Sequence, residues 1–200
     1  FNAPFVSGKD SLNNEYVGGD GERHAVPPTL VITAVGHVPD ADRCVTPDLL
    51  TPGNVLMLIG STETEFAGSH FDLVHGEPDN PGVVPAPDTD AAVHYRHLHA
   101  AMQAGLIVSC HDVSEGGLAV ALAEMCIGGR LGASIHNLPH DDLATALFSE
   151  SVGRMIVEIE ERSAPAFRRI MDDDAIVLGE VSESRLLSFP DIEPIRVSDL

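Results

Sequence analysis

His111-Asp112-Val113-Ser114-Glu115-Gly116-Gly117-Leu118 joins two apolar runs of different character. Before it, Gly105-Leu106-Ile107-Val108-Ser109-Cys110 is short, branched and introduced by glycine, which predicts a buried strand. After it, Leu118-Ala119-Val120-Ala121-Leu122-Ala123-Glu124-Met125 is long and rich in Ala and Leu, which predicts a helix. The junction sets a carboxylate, a hydroxyl and two glycines where a strand ends and a helix begins. Free backbone N–H groups and the positive end of the helix dipole favour a phosphate at such a place. Asp112 can hold a hard cation such as Mg2+, which binds through one or two carboxylates together with substrate phosphates. Ser114 can cap the helix or donate to a phosphate, and Gly116 and Gly117 permit close backbone approach. An ordinary capped strand-to-helix turn accounts for the same spacing.

Outward from this turn the pattern alternates. Thr29 to Gly36 reads as a β-branched strand after Pro27-Pro28, and Asn54 to Gly60 as a second buried strand after the Pro52-Gly53 turn. Residues 1–25 read as an apolar start and a polar, Gly-rich loop. Residues 61–87 are short on pattern, and Pro78, Pro81, Pro85 and Pro87 make their second half an irregular loop. Asp88-Thr89-Asp90 opens a helix over Ala91 to Gln103, which Gly105 stops. Gly128-Gly129-Arg130 ends the helix after the central turn. Strands are then expected at Leu131 to Ile135, Met155 to Ile159 and Ala175 to Val181, with helices at Asp141 to Phe148 and Ala164 to Met171. This is an α+β order, a mixed sheet covered by helices.

Composition narrows the function classes. Two hundred residues with 44% apolar content fill one domain, or one domain plus a remnant of another. A formal charge of −20 argues against nonspecific nucleic-acid binding, which needs a basic surface. No apolar run approaches the ~20 residues of a membrane span, so neither nucleic acid nor membrane is expected as a partner. The three cysteines, Cys44, Cys110 and Cys126, share no CxxC spacing and read as free, buried thiols of a cytoplasmic protein. The opening Phe1-Asn2-Ala3-Pro4-Phe5-Val6 looks like the inside of a folded unit, which suggests a piece of a longer polypeptide.

Other motifs carry less. Ser7-Gly8-Lys9-Asp10-Ser11 fails as a P-loop, because Ala3 stands where the first glycine belongs and Asp10 follows the lysine. It remains a polar loop able to contact phosphate, or a plain surface turn. His94 and His97 share a helix face, but no further ligand completes a zinc set at the right spacing. Arg154 reads as an ion-pair or loop-bracing residue, with phosphate contact as the other option. Cys110 beside His111 reads as a strand end and not as a nucleophile pair.

Three segments, taken together and in order, resemble the phosphoribosylformylglycinamidine synthase family. Pro4-Phe5-Val6-Ser7-Gly8-Lys9-Asp10-Ser11-Leu12, with Asn14-Glu15, is similar to that family's Ser-Gly-(Asn/Lys)-(Val/Asp)-Ser-Leu loop. Pro27-Pro28-Thr29-Leu30 leading towards Val38-Pro39-Asp40 resembles the segment opening its aminoimidazole-ribonucleotide-synthetase C-terminal-like domain. The central turn matches its His-Asp-x-Ser-(Asp/Glu)-Gly-Gly-Leu pattern, and Phe148-Ser149-Glu150-Ser151 with Arg154 fits a further stretch. The resemblance implies residues 1–26 as the tail of a preceding synthetase domain and 27–200 as that C-terminal domain.

It also implies a chemistry. ATP would phosphorylate the amide oxygen of formylglycinamide ribonucleotide, and glutamine-derived ammonia would displace the phosphate, in a carbon–nitrogen ligation of purine biosynthesis. Carried over by position, Gly8, Ser114, Gly116 and Gly117 would contact nucleotide, Ser11 the ribonucleotide substrate, and Asp112 Mg2+. Lys9 stands where shorter members carry a metal-binding Asn, so no metal role falls on that position. The implied partners are N-terminal synthetase domains and a glutaminase domain or subunit. The family's catalytic His lies in earlier domains, so no catalytic residue is expected here and these 200 residues alone are expected to be inactive. Another ATP-dependent member of the same superfamily, or a noncatalytic assembly domain, is the alternative.

Overall fold

The computed structural model describes residues 3–9, 14–26, 29–76, 82–172 and 174–200, in two units, Phe1–Ala41 and Asp42–Leu200. The expected boundary between residues 26 and 27 falls inside the first unit. There, β1 (Glu15–Val17) and β2 (Arg23–Ala25) pair as an antiparallel hairpin where sequence reading expected a loop. Gly18 N donates to Glu22 O at 2.9 Å, and Gly21 takes a φ of +78° that a side chain would resist. The strand expected over residues 29–36 is not formed, and Leu30, Val31, Ile32 and Val35 lie exposed. β-branched residues favour extended backbone, but a strand exists only with a ladder to join.

The second unit runs β3 (Val55–Ile59), α1 (His70–His75), α2 (Ala91–Gln103), β4 (Ser109–Asp112), α3 (Gly117–Gly129), β5 (Gly132–Ile135), α4 (Leu143–Phe148), β6 (Met155–Ile159), α5 (Ala164–Ile170), β7 (Ala175–Ser182), β8 (Leu186–Ser188) and β9 (Ile195–Arg196). Its sheet has the order β4-β6-β3-β7-β5-β8-β9. Every neighbouring pair is antiparallel except β5 with β8, so the sheet is mixed, as expected. Leu56, Met57, Leu58 and Ile59 of β3 are each at most 1% exposed, which requires cover on both faces. Leu56, Leu58, Ile156 and Leu178 pack with Leu118, Leu122 and Met125 of α3 and Leu147 of α4. Met57, Ile59, Val157 and Ile159 point the other way, onto Leu98 and Ala101 of α2 and Phe167 of α5. Side-chain alternation along a strand produces these two cores.

Most bounds in this unit lie within two residues of expectation, and two larger departures have local causes. The run beginning at Gly105 becomes strand only at Ser109, because Gly105 at φ +68° turns the chain and Leu106 N still donates to Ala101 O of α2. The pattern-poor stretch after β3 holds α1, whose Ser69 Oγ accepts from Asp72 N at 3.0 Å. A Ser three residues before an acidic residue is a helix-start signal that six residues left easy to overlook.

Glu158 is a charged residue inside an apolar strand, and it is fully buried. Its carboxylate accepts from Leu50 N (2.8 Å), Thr51 N (2.9 Å), Asn54 Nδ2 (2.7 Å) and Ser109 Oγ (3.1 Å). One side chain thus fastens the turn before β3 and the start of β4 to β6. Glu158→Ala leaves these donors without an acceptor and is expected to lower stability to urea by about 3 kcal/mol, with Glu158→Gln costing about 1 kcal/mol. Equal losses in the two variants would show that the carbonyl acceptor which Gln retains holds none of these donors.

Candidate functional site

Sheet register gathers the site. Asp112 closes β4 opposite Met155 of β6, Met155 stands opposite Ile59 of β3, and Ile59 opposite Ala175 of β7. The segments leaving β3 and β4 and entering β6 and β7 therefore share one end of the sheet. Asp112, Ser114, Gly116 and Gly117 come together there, as the sequence suggested.

Their roles in the turn are now distinct. The Asp112 side chain is 64% exposed, and Ser114 is exposed beside it. Gly116 is the N-cap of α3 at φ +78° and Gly117 its first residue at φ +68°; no side chain caps the helix. Ser114 contributes its carbonyl, which accepts from Gly117 N at 3.1 Å, so the hydroxyl is not used as a cap. A Cβ on Gly117 would meet Ser149 O at 2.6 Å and Leu147 O at 2.8 Å. Glycine is required here by the chain packed against it.

Glu150 is the residue whose role sequence reading missed. Its Oε1 accepts from Gly116 N at 2.8 Å and from His70 N at 2.9 Å, so one carboxylate holds the starts of α3 and α1. Negative charge is favoured at helix N-termini, and the protein places its own there. The only signal was an acidic residue between two serines, and nothing in its spacing named Gly116 as a partner.

Arg154 braces the same loop, which settles the reading of that residue in favour of structure. It is 1% exposed, and it donates from Nε to Ser151 O at 2.9 Å, from Nη1 to Thr62 Oγ1 at 3.0 Å and from Nη2 to Ser149 O. Burial pushes its pKa down to about 10, with the charges of Glu65 and Glu150 opposing that shift.

A cavity of about 560 Å3 opens on the same sheet end, lined by Gly60, Ser61, Asp88, Asp90, His94 and Asp174 among others. His94 sits between two carboxylates, with Nδ1 3.8 Å from Asp88 Oδ2 and Nε2 3.6 Å from Asp174 Oδ2. Burial, followed by the charges of Asp88 and Asp112, raises the Tyr95 pKa. The neighbourhood is anionic, and an incoming phosphate would need backbone N–H groups and a cation to be held. Among the described residues no group of three or more His, Cys, Asp or Glu is arranged to hold a metal ion. The exposed carboxylate of Asp112 is of the chemical type that can give Mg2+ one oxygen ligand.

Cys110 is held as the neutral thiol. Burial, then the Asp112 charge, pushes its pKa up to about 12. The expectation of a buried thiol fails for Cys44, which the structure leaves exposed. Gly8 lies exposed in the first unit with open space around its α-carbon, and Ser11 lies outside the described residues.

The family described as AIR synthase related protein, C-terminal domain, matches residues 51–190. The phosphoribosylformylglycinamidine synthase subunit PurL of Limosilactobacillus reuteri is 36% identical over 189 residues, covering 94% of this chain and 24% of that protein. The chain thus spans about a quarter of the length of such relatives. Among solved structures, T. maritima PurL complexed with FGAR has a TM-score of 0.67 at 20% identity, over 79% of this chain and 29% of the other. T. maritima PurL complexed with ATP has a TM-score of 0.60 at 20% identity, over 79% and 27%. At these identities the structures show a shared fold.

Two measurements check the site. Gly117→Ala is expected to cost about 3 kcal/mol in denaturant unfolding, through a left-handed φ and contact with two carbonyls, while Gly116→Ala, which meets the Val120 side chain, costs about 1 kcal/mol. With a thiol reagent at pH 8, exposed Cys44 reacts at once, while Cys110 and Cys126, both pushed up to about 12, react only on unfolding. Rapid native labelling of Cys110 would contradict its placement.

Proposed function

The chain belongs to the AIR synthase related family through its C-terminal domain, and on that premise we propose that it is the C-terminal part of a phosphoribosylformylglycinamidine synthase. Its reaction would be ATP-dependent carbon–nitrogen ligation, converting formylglycinamide ribonucleotide and glutamine-derived ammonia to formylglycinamidine ribonucleotide in purine biosynthesis. The relatives at 36% identity carry that synthase's name, and solved structures of the same fold include T. maritima PurL complexed with FGAR and with ATP. The observation that carries the reading is the Asp112–Gly117 turn, with an exposed carboxylate and hydroxyl at the start of α3.

In this reading Asp112 supplies one ligand to Mg2+, Ser114 donates its hydroxyl to a nucleotide phosphate, and Gly116 and Gly117 keep side chains away from it. Mg2+, when bound, offsets charge on the transferring phosphoryl group, which makes a poorly leaving amide oxygen displaceable. Gly8 would touch nucleotide and Ser11 the ribonucleotide. Residues 1–26 would be the tail of a preceding synthetase domain and 27–200 the C-terminal domain. The exposed Leu30, Val31, Ile32 and Val35 suit pairing with other synthetase segments, and ammonia would come from a glutaminase domain or subunit. A cytoplasmic setting accords with three free thiols, and among the described residues no helix is long and apolar enough to cross a membrane.

A noncatalytic assembly domain is the second reading, favoured by one fact: the Gly116 N–H is already held by Glu150. Calorimetric titration of Mg-ADP separates the two. The proposal expects binding that falls about tenfold, about 1.4 kcal/mol, in both Asp112→Ala and Ser114→Ala, and no ATP- and glutamine-dependent turnover by the chain alone. Binding undiminished in both variants would leave the turn purely structural.

A further inference from the structure

We propose that His111 is a positioning residue for the Asp112–Gly117 turn, fixing the direction of the Asp112 carboxylate relative to the start of α3. This rests on the nucleotide-binding reading of that turn. His111 precedes Asp112 on β4, and its side chain is only 15% exposed. A carbonyl oxygen only accepts, so Nδ1 carries the proton and donates to Asp112 O at 2.7 Å. The same nitrogen lies 3.5 Å from Asp112 Oδ1. On the other side of the ring, Nε2 lies 3.2 Å from Glu124 Oε2, a carboxylate on α3. The imidazole therefore lies between the strand before the turn and the helix after it, and its hydrogen bond is the one to Asp112 O.

The turn needs such a brace. Gly116 and Gly117 both sit at positive φ, where glycine leaves the backbone with more freedom than any other residue. Glu150 ties the helix side, through Gly116 N, but it makes no bond to Asp112. His111 supplies the missing tie: its bond to Asp112 O fixes the following peptide plane, which sets where the side chain leaves the backbone. A carboxylate sharing a cation with a phosphate must be held to within roughly 0.5 Å of the productive geometry, and partners behind a metal ligand commonly set affinity by about tenfold or more.

Asn and Gln dissect the two ends of the ring, because Asn places an amide donor near the position of Nδ1 and Gln near that of Nε2. The experiment measures binding of ADP with Mg2+ and with EDTA to the wild-type chain, His111→Ala, His111→Asn, His111→Gln and Asp112→Ala, with thermal melting recorded alongside. The expected result is an about tenfold loss of Mg-ADP affinity in His111→Ala and His111→Gln, metal-free ADP affinity within about twofold of wild type, and recovery in His111→Asn. Combining His111→Ala with Asp112→Ala is expected to weaken Mg-ADP no further than Asp112→Ala alone. Equal losses with and without Mg2+, indistinguishable Asn and Gln variants, or additive losses in the double variant overturn the assignment. If the wild type binds no Mg-ADP, the nucleotide reading falls and this inference with it. Loss in Asp112→Ala without loss in His111→Ala sinks the inference alone.

Discussion

Arg154 is a guanidinium almost wholly removed from water, and the end of the sheet that bears the Asp112–Gly117 turn is organised by how its charge is satisfied. An unpaired buried charge costs several kcal/mol, so the surroundings must supply acceptors. They do so with the carbonyls of Ser149 and Ser151 and the hydroxyl of Thr62, and those bonds fix the loop between α4 and β6. From that loop Ser151 Oγ donates to Glu65 Oε2 at 2.6 Å, and Glu65 Oε1 accepts from Ala86 N at 2.9 Å. Glu150, fixed between the two serines, then holds the N-terminal ends of α1 and α3. Segments from three parts of the chain thus take their positions from one cation.

This has a consequence for charge. The guanidinium near the turn faces inward, so it offers nothing to a ligand, while Asp88, Asp90, Asp112 and Asp174 face the open end of the sheet. In a chain of net charge −20, phosphate recognition would depend on local dipoles and a shared metal ion. Asp112 is suited to that role because it is exposed and because the His111 ring bonds to its carbonyl. The glycines serve packing as well: Gly117 lets the 147–149 carbonyls approach the helix start, which no side chain would permit.

Legibility followed the range of the forces involved. Helix α2 and strand β6 were read from sequence at the bounds the structure shows, because runs of helix formers and of branched apolar residues carry their own local preference. β8 and β9 were not read at all, since three- and two-residue strands exist only through pairing with β5 and with each other. The 29–36 run shows the converse, a strong local β signal with no ladder to join. In the site, Asp112, Ser114 and the two glycines were visible as a contiguous motif, whereas Glu150, Glu124 and the His94 cavity were assembled from distant segments.

By itself, then, the sequence determined the alternation of strands and helices, the two-sided burial of β3, and a carboxylate–hydroxyl–glycine turn between a strand and a helix. These follow from periodicity and from residue chemistry acting over a few positions. Only the tertiary structure decided that Arg154 is a brace, that Glu150 already takes the Gly116 N–H, and that Asp112 stands exposed beside His111. Each depends on hydrogen bonds or burial brought about by sheet register and loop closure, and hydrogen-bonding groups tens of residues apart leave no mark of their pairing in the order of the chain.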